Sequence, residues 1–388
     1  MRKIKVSRII LLGLSFVLFV ECTEPVVPEF DFKSGLVSVE GFVSTAPGGS
    51  FVKLNKINEI KIGNNSYENV FLGGAEASFI NTGTGEVVAL TEDEAGEIYV
   101  PPTDFAAKTG DAWELEIILS DGKVYKSLSE TLMESVPITG IGATYKPEHT
   151  FHVELNEFVP GHSIEVDFDD PQDSENFYYW SFRSFELKDI CVTCRRARIY
   201  RNDACILIDP PVDPESVPFH TYTCSEDCWR IRYSNNINIF NDRFSNGLKI
   251  DRLPVADVLL YSKQNAVVEI QQLSLSASAY EYYETLKDIA DDNGGFNSPP
   301  SAALIGNMYN PDNPDEYVLG RFTAASTEIA HIFLEREHLE EEQIVNGITA
   351  PEGTWQTFPE PPEGYVFMAP CQEESRYNTG IKPEGWPD

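Results

Sequence analysis

The sequence predicts a mainly β protein: an N-terminal immunoglobulin-like β-sandwich, then a larger β-rich domain with one clear α-helix and a cysteine-rich insert. Three observations support this class. Tyrosine and phenylalanine, both strand-favouring residues, number 17 and 23 among 388 residues. Proline and glycine number 25 and 26, which suits strands joined by tight turns. Apolar and polar residues alternate in several short segments, the period of half-buried strands.

The N-terminus has the features of a lipoprotein signal peptide. A basic segment, residues 2–8, precedes the uncharged run Ile9–Val20, which is shorter than the roughly 20 apolar residues of a membrane-spanning helix. Cys22 follows this run almost directly and is the expected lipidation site, although Glu21 occupies a position that usually holds a small residue. We therefore predict a signal peptide over residues 1–21 and a lipid anchor on Cys22. The alternative is an ordinary secretory peptide.

Two segments follow the anchor. Residues 22–34 are acidic and proline-containing without periodicity, and we expect them to form a tether. Residues 35–137 are predicted to form the β-sandwich. Its expected strands include 36–43, 50–57, 74–81 and 113–117, with a hairpin turn at Asp121-Gly122 leading into 123–127.

A larger β-rich domain is predicted over residues 138–388, after a hinge at 135–138. Its expected strands are 164–168, 176–185, 237–240 and 266–275, with a final strand pair at 317–323 and 327–335. One helix is predicted near 278–291. Ser278 and Glu281 have the spacing of a capping box, and an apolar stripe follows them.

The formal net charge is −33. A polyanionic surface of this size argues against nucleic acids and anionic lipid headgroups as partners. It favours solubility and is compatible with divalent cations.

Apart from Cys22, the chain has an even set of cysteines, which in an exported protein predicts disulfides. They are Cys191, Cys194, Cys205, Cys224, Cys228 and Cys371. Five of them fall in the insert 189–229, which we interpret as a stapled loop. Complete pairing requires Cys371 to bond one of these five. The bond would hold the proline-rich tail, 359–387, with Val366, Phe367, Met368 and Trp386 packed beside the insert.

Two alternatives exist for the cysteines. Cys191-x-x-Cys194 and Cys224-x-x-x-Cys228 resemble the ligand knuckles of a zinc site, and the first pair also resembles a redox motif. An oxidising compartment argues against zinc, and the absence of a helix after Cys194 argues against redox chemistry. We therefore predict no metal and no cofactor.

No catalytic motif is recognised. The six histidines, at 149, 152, 162, 220, 331 and 338, form no His-Glu-x-x-His pattern, and no Gly-x-Ser-x-Gly elbow or phosphate loop is present. Two acidic runs, 167–170 and 312–316, lack the register of a calcium loop and are interpreted as solvated loops. We predict that the protein is not an enzyme.

Short motifs in a fixed order resemble a Bacteroidota lipoprotein family known as domain of unknown function 4249. In the N-terminal part they are Val39-Glu40-Gly41, Gly74-Ala75-Glu76-Ala77, Gly96-Glu97-Ile98-Tyr99, Gly110-Asp111-Ala112-Trp113-Glu114-Leu115, Asp121-Gly122-Lys123-Val124-Tyr125-Lys126-Ser127 and Val136-Pro137-Ile138. In the C-terminal part they are the helix at 278–286, Gly306-Asn307, Val318-Leu319-Gly320-Arg321-Phe322, Cys371 and Lys382-Pro383-Glu384-Gly385-Trp386. The dense cysteine insert and Glu21 depart from the family's pattern.

The resemblance implies a function but no catalytic residues. Genes of this family often lie beside TonB-dependent outer-membrane receptors, which implies a lipid-anchored accessory, exposed at the cell surface, that captures a ligand for such a receptor. The alternative is an adhesin or a structural surface protein. A hydrolase without a recognisable motif is the third hypothesis.

Overall fold

The chain is mainly β with a single α-helix in its described part, as the sequence predicts. The computed structural model describes residues 35–60, 66–93, 97–153, 155–172, 174–195, 198–207, 219–234, 236–291, 305–344, 368–372 and 377–387. The predicted signal peptide, Cys22 and the tether lie outside these ranges and remain predictions. No helix within the described ranges has the length and apolar character needed to cross a membrane.

Among the described residues, ten strands precede residue 138. They are β1 (Leu36–Ser44), β2 (Phe51–Ile60), β3 (Ser66–Phe71), β4 (Glu76–Asn81), β5 (Val87–Ala89), β6 (Thr91–Asp93), β7 (Ile98–Val100), β8 (Ala112–Ile118), β9 (Val124–Ser127) and β10 (Glu130–Thr131).

The strands from residue 138 to the insert's end are β11 (Ile138–His152), β12 (Glu157–Asp169), β13 (Phe177–Leu187), β14 (Ile190–Arg195), β15 (Arg198–Arg201), β16 (Ala204–Leu207), β17 (Phe219–Cys224) and β18 (Trp229–Tyr233). The remaining elements are β19 (Asn238–Asn241), β20 (Lys249–Leu259), β21 (Ala266–Ser274), the helix α1 (Ala277–Asp291), β22 (Met308–Tyr309), β23 (Val318–Leu334), β24 (Met368–Ala369) and β25 (Asn378–Thr379).

One eleven-stranded sheet, here called the central sheet, joins the two halves of the chain. Its order is β25-β18-β13-β21-β23-β1-β2-β7-β6, with β19 beside β13 and β3 beside β2. A six-stranded sheet has the order β22-β9-β8-β4-β5 with β10 on β8, and a three-stranded sheet has the order β11-β12-β20. The insert contributes the small sheets β14-β17-β24 and β15-β16.

The six-stranded sheet and the three-stranded sheet β11-β12-β20 pack on the same face of the central sheet. Val39 of β1 and Phe322 of β23 share a buried core with Phe79 and Leu115 of the six-stranded sheet. Further along this face, Trp180 of β13 belongs to a second core with residues of the three-stranded sheet. The packing is therefore sandwich-like in both halves, because alternate residues of each central strand turn to this face. The immunoglobulin-like detail stays a prediction.

The helix covers the opposite face. Ala279 and Tyr283 of α1 pack with Phe42 of β1, Leu273 of β21 and Ala325 of β23. These strand residues follow the opposite alternation from those in the two sandwich cores. We call this side of the central sheet the helix-bearing face.

The predicted strand pair at 317–323 and 327–335 is wrong. The segment is one continuous strand, β23, which pairs in parallel with β1 over residues 318–325 and antiparallel with β21 over 326–334. Burial changes along it, from nearly complete in the first half to partial in the second. That change in burial resembles a break between two strands, yet Ala324-Ala325-Ser326 contains no glycine or proline.

The interpretation of the insert as a loop is also wrong, because strands β14 to β17 occupy much of its described part. Strand β11, which forms a hairpin with β12, was also not predicted from the sequence. The predicted domain bounds at 35–137 and 138–388 stay predictions. The pairing of β1 with β23 places strands from both sides of that boundary in one sheet.

Candidate ligand-binding cleft

A cleft opens on the helix-bearing face, where α1 meets β1, β13 and β23. Its volume is about 390 Å³, within the roughly 300–1,000 Å³ typical of small-molecule pockets. Its lining includes aromatic, aliphatic and charged side chains from these four elements, among them Tyr179, Tyr282, Tyr283, Leu286, Glu40 and Arg321. The cleft is therefore built from residues far apart in sequence.

The base of the cleft depends on a close approach of β1 and β23. Gly320 has a φ of +89°, and a Cβ at this position would lie 2.0 Å from the carbonyl oxygen of Val39. Only glycine can adopt this conformation without strain and admit the neighbouring backbone. Both residues line the cleft, so this contact fixes the strands that carry Glu40 and Arg321.

Three tyrosines form the aromatic wall. The ring centroids of Tyr179 and Tyr283 lie 5.0 Å apart, and those of Tyr282 and Tyr283 lie 5.5 Å apart. The buried Tyr283 hydroxyl lies 3.0 Å from Thr323 Oγ1, which ties the helix to β23. Contacts with Tyr179 of β13 and with Thr323 of β23 therefore both fix the position of Tyr283.

The phenol groups are neutral at ordinary pH. Burial, and after it the negative charge of Glu40, raises the pKa of Tyr179 and of Tyr282 to about 12. Burial also raises the pKa of Tyr283 well above its usual value. Among the described residues, the hydroxyls of Tyr179 and Tyr282 have no hydrogen-bond partner. They are available to a ligand as donors or acceptors.

Two charged side chains of opposite sign line the cleft. Glu40 is exposed, and its Oε2 lies 3.0 Å from Lys53 Nζ. Arg321 is buried, and its guanidinium donates to Glu130 Oε1 and, over 2.9 Å, to Ser278 Oγ. The positive charge of Arg321 is thus balanced by a buried carboxylate behind the cleft wall.

Glu130 connects several elements behind this wall. Its Oε2 accepts a 2.9 Å hydrogen bond from Ser276 Oγ, and its Oε1 accepts one from Asn307 Nδ2. Asn307 also bonds the backbone of Phe322, accepting from its N–H and donating to its carbonyl oxygen. This buried polar network links β10, β23, the start of α1 and the segment before β22.

The predicted capping box at Ser278 and Glu281 is wrong, although the predicted helix is present. The first turn is capped by Ser276, whose Oγ accepts a 3.2 Å hydrogen bond from the N–H of Ala279. Ser276 suits the role because it stands just before the helix and is oriented by Glu130. Ser278 instead accepts the bond from Arg321.

The arrangement provides groups that can contact a small molecule. It combines an aromatic wall, unpaired phenol hydroxyls and one carboxylate, which are features of ligand recognition. Among the described lining residues, neither Ser38 nor Ser234 is hydrogen-bonded to a histidine, so the pairing of a nucleophile with its base is not formed there.

The predicted disulfide bonding is confirmed. The bonds are Cys191–Cys224, Cys194–Cys205 and Cys228–Cys371. The third bond joins the tail to the insert across 143 residues. The zinc-knuckle and Cys-x-x-Cys alternatives do not match this pairing. The sulfurs of Cys191, Cys228 and Cys371 lie within 4.8 Å of one another, but as disulfide sulfurs they are not thiolate ligands.

The tail packs beside the insert. β24 pairs with β17, and β25 pairs with β18. The Trp386 ring lies 5.8 Å from that of Trp229 and 5.2 Å from that of Phe333. Val366 and Phe367, which the sequence places at the same surface, lie outside the described residues.

The acidic runs have structural partners. Asp170 accepts hydrogen bonds from Tyr178 and from the N–H of Gly247. Glu316 accepts hydrogen bonds from Tyr125 and Asn310. Asp170 and Glu316 therefore act as anchors for local structure.

The described histidines do not line the cleft. His149 Nε2 lies 2.7 Å from Asp257 Oδ1, and His331 Nε2 lies 3.4 Å from Glu269 Oε2. His162 is buried, and burial together with the charge of Arg336 lowers its pKa to about 4. These contacts lie at the three-stranded sheet and on the second half of β23.

None of the described cleft residues was predicted from the sequence to be functional. Tyr282 and Tyr283 appear in the sequence as part of an amphipathic helix, and Glu40 as the polar residue of a strand. The one available signal was the sequence Leu319-Gly320-Arg321, where a glycine interrupts an apolar strand. Such a glycine indicates close backbone approach.

A family model described as "Domain of unknown function (DUF4249)" matches residues 23–329. The comparison with curated proteins finds no match.

Proposed function

The chain belongs to the DUF4249 family, and from this premise we propose that it is a non-catalytic, lipid-anchored outer-membrane protein that captures a small ligand. The observation that carries the proposal is the cleft of about 390 Å³ with its unpaired phenol hydroxyls. This volume falls within the range of small-molecule sites. We propose a TonB-dependent receptor as the partner that receives the ligand.

The sequence supports the location and the partner. The short apolar run that ends near Cys22 supports export and lipidation. A diacylated cysteine carries enough hydrocarbon for stable membrane attachment. The family resemblance supports the receptor.

The capture step is tested on protein isolated from its native membranes. We expect mass spectrometry of an organic extract to detect a small molecule that accompanies the full-length protein. Tyr282→Ala should lose this molecule, because the substitution removes part of the aromatic wall. Tyr317→Ala is the matched control, since Tyr317 is exposed and lies outside the lining. Identical extracts from all three proteins would reject capture by this cleft.

An adhesin is the second candidate, and one feature favours it. The tip of the β11–β12 hairpin exposes Phe151, Val153 and Phe158, with Phe158 59% exposed. The rings of Phe151 and Phe158 are 5.5 Å apart. Pairing of β12 with β20 extends only to Gly161, so the tip projects as a two-stranded ribbon. Exposed apolar side chains on such a ribbon are suited to contact with another surface.

Replacement of the two phenylalanines at the hairpin tip distinguishes the two candidate functions. Phe151→Ser with Phe158→Ser should abolish cell attachment if the protein is an adhesin. Under the ligand-capture proposal, attachment is unchanged.

A further inference from the structure

The only carboxylate in the described lining of the cleft is incompletely paired. Lys53 contacts Oε2 of Glu40, whereas Oε1 has no partner among the described residues. Glu40 is exposed and Lys53 is partly exposed, and ion pairs open to solvent exchange readily with water and other ions. The carboxylate is therefore free to accept a hydrogen bond from a ligand or to form an ion pair with a positively charged one.

The electrostatic influence of Glu40 extends to the whole aromatic wall. Its charge contributes to the raised pKa values of Tyr179, Tyr282 and Tyr283. The carboxylate and the three tyrosines line the same cleft. Ring faces carry a negative quadrupole that attracts cations, so both features favour positive charge at this place.

The other charge in the described lining, Arg321, acts in the opposite sense at Tyr282, where it lowers the pKa by less than Glu40 raises it. Its guanidinium is buried, and the carboxylate of Glu130 offsets its charge. A net charge of −33 on the chain further raises the concentration of cations near the surface.

We propose that the cleft binds the ammonium group of an organic cation, with the tyrosine rings around its alkyl groups and Glu40 beside its charge. This inference rests on the proposed ligand-capture function and names its ligand class. A neutral polyhydroxylated ligand could use the same hydroxyls and could donate hydrogen bonds to the free oxygen of Glu40, but it would gain nothing from attraction between opposite charges. A comparison of a cation with an uncharged molecule of the same shape therefore distinguishes the two.

The test compares choline with its uncharged isostere, 3,3-dimethylbutan-1-ol, by NMR titration of the full-length protein. The two probes match in shape and differ in charge. We expect choline to bind about tenfold more tightly, as a cation at an aromatic site should. Glu40→Gln should remove most of this difference. Tyr282→Phe should retain it, because the ring remains, whereas Tyr282→Leu should lose it. Tyr317→Leu is the control.

Each alternative outcome has a defined meaning. Equal affinity for choline and the isostere would overturn the cation proposal, although the cleft would still be a ligand site. Binding of D-glucose without binding of choline would also overturn the cation proposal and leave ligand capture intact. Failure of all three probes would overturn the cation proposal, while the extract experiment would still decide capture.

Discussion

Gly320 of β23 lies directly against the main chain of Val39 in β1. A Cβ at residue 320 would stand 2.0 Å from the Val39 carbonyl oxygen and 2.8 Å from its carbonyl carbon. The two residues are register partners in the parallel ladder that joins the halves of the chain. Both line the cleft, so one contact serves the central sheet and the candidate site together.

The first prediction follows from this contact. Gly320→Ala should lower the free energy of unfolding by about 3 kcal/mol or more, since a clash adds to the cost of a left-handed backbone. Gly122→Ala is the matched control, because its φ of +87° is similar but nothing lies within 4 Å of the added Cβ. The Gly122→Ala substitution should lower the free energy of unfolding by about 1 kcal/mol. Urea unfolding of both variants measures the difference, and equal losses would show that the Val39 contact is unimportant.

The second prediction concerns the Cys228–Cys371 bond, which spans 143 residues. Cys371→Ser should leave Cys228 as a free thiol and release the tail, because the loop closure is worth about 5 kcal/mol in the chain-entropy model. Limited proteolysis should then cleave the tail and the insert while leaving the fragment 35–135 intact. Cys205→Ser, which opens a bond of separation 11, is the control and should spare the tail. An unchanged digest of Cys371→Ser would contradict the account.

The third prediction concerns acid stability. Burial first, then repulsion by Arg336, His149 and His338, lowers the pKa of His162 to about 4. In the unfolded chain this histidine titrates near 6.5, so between pH 6.5 and 4 the unfolded state binds more protons. Stability must fall as the pH falls through this window, by up to about 3 kcal/mol.

His162→Gln tests this assignment. Chemical denaturation at several pH values should give a flatter stability profile between pH 6.5 and 4 for the variant than for the wild type. A slope identical to that of the wild type in this window would assign the acid sensitivity to other groups.

Much of the fold could be predicted from the sequence, because local patterns encode local structure. Alternation of Trp113, Leu115 and Ile117 with glutamates predicted β8, and the stripe after residue 278 predicted α1. The pairing of β1 with β23 was not predictable, since it joins residues about 280 apart and depends on tertiary contacts.

The site was less predictable than the fold, for a physical reason. Its tyrosines have the same spacing as residues that only pack a helix, and Glu40 is typical of any exposed strand position. Only the folded sheet brings Glu40, Tyr179 and Tyr282 to one cleft. The cysteines were more informative, because an even number of them in an exported chain predicts disulfide bonds.

The fourth prediction concerns the anchor. Cys22→Ser should move the protein from the membrane pellet to the soluble fraction, because it would remove the acyl chains that we propose as the anchor. Fractionation after a salt wash, with Cys205→Ser as a control that keeps the lipid, measures the change. Retention of Cys22→Ser in the pellet would show that something other than lipid holds the protein.

The most direct test of the proposed function is affinity purification of the full-length protein from solubilised outer membranes of its native cells. Mass spectrometry would then identify the proteins that accompany it. The account predicts that a TonB-dependent receptor is enriched with the wild type and reduced with Cys22→Ser, which would no longer share the membrane. Enrichment of cell-surface adhesion partners, with no such receptor, would contradict it.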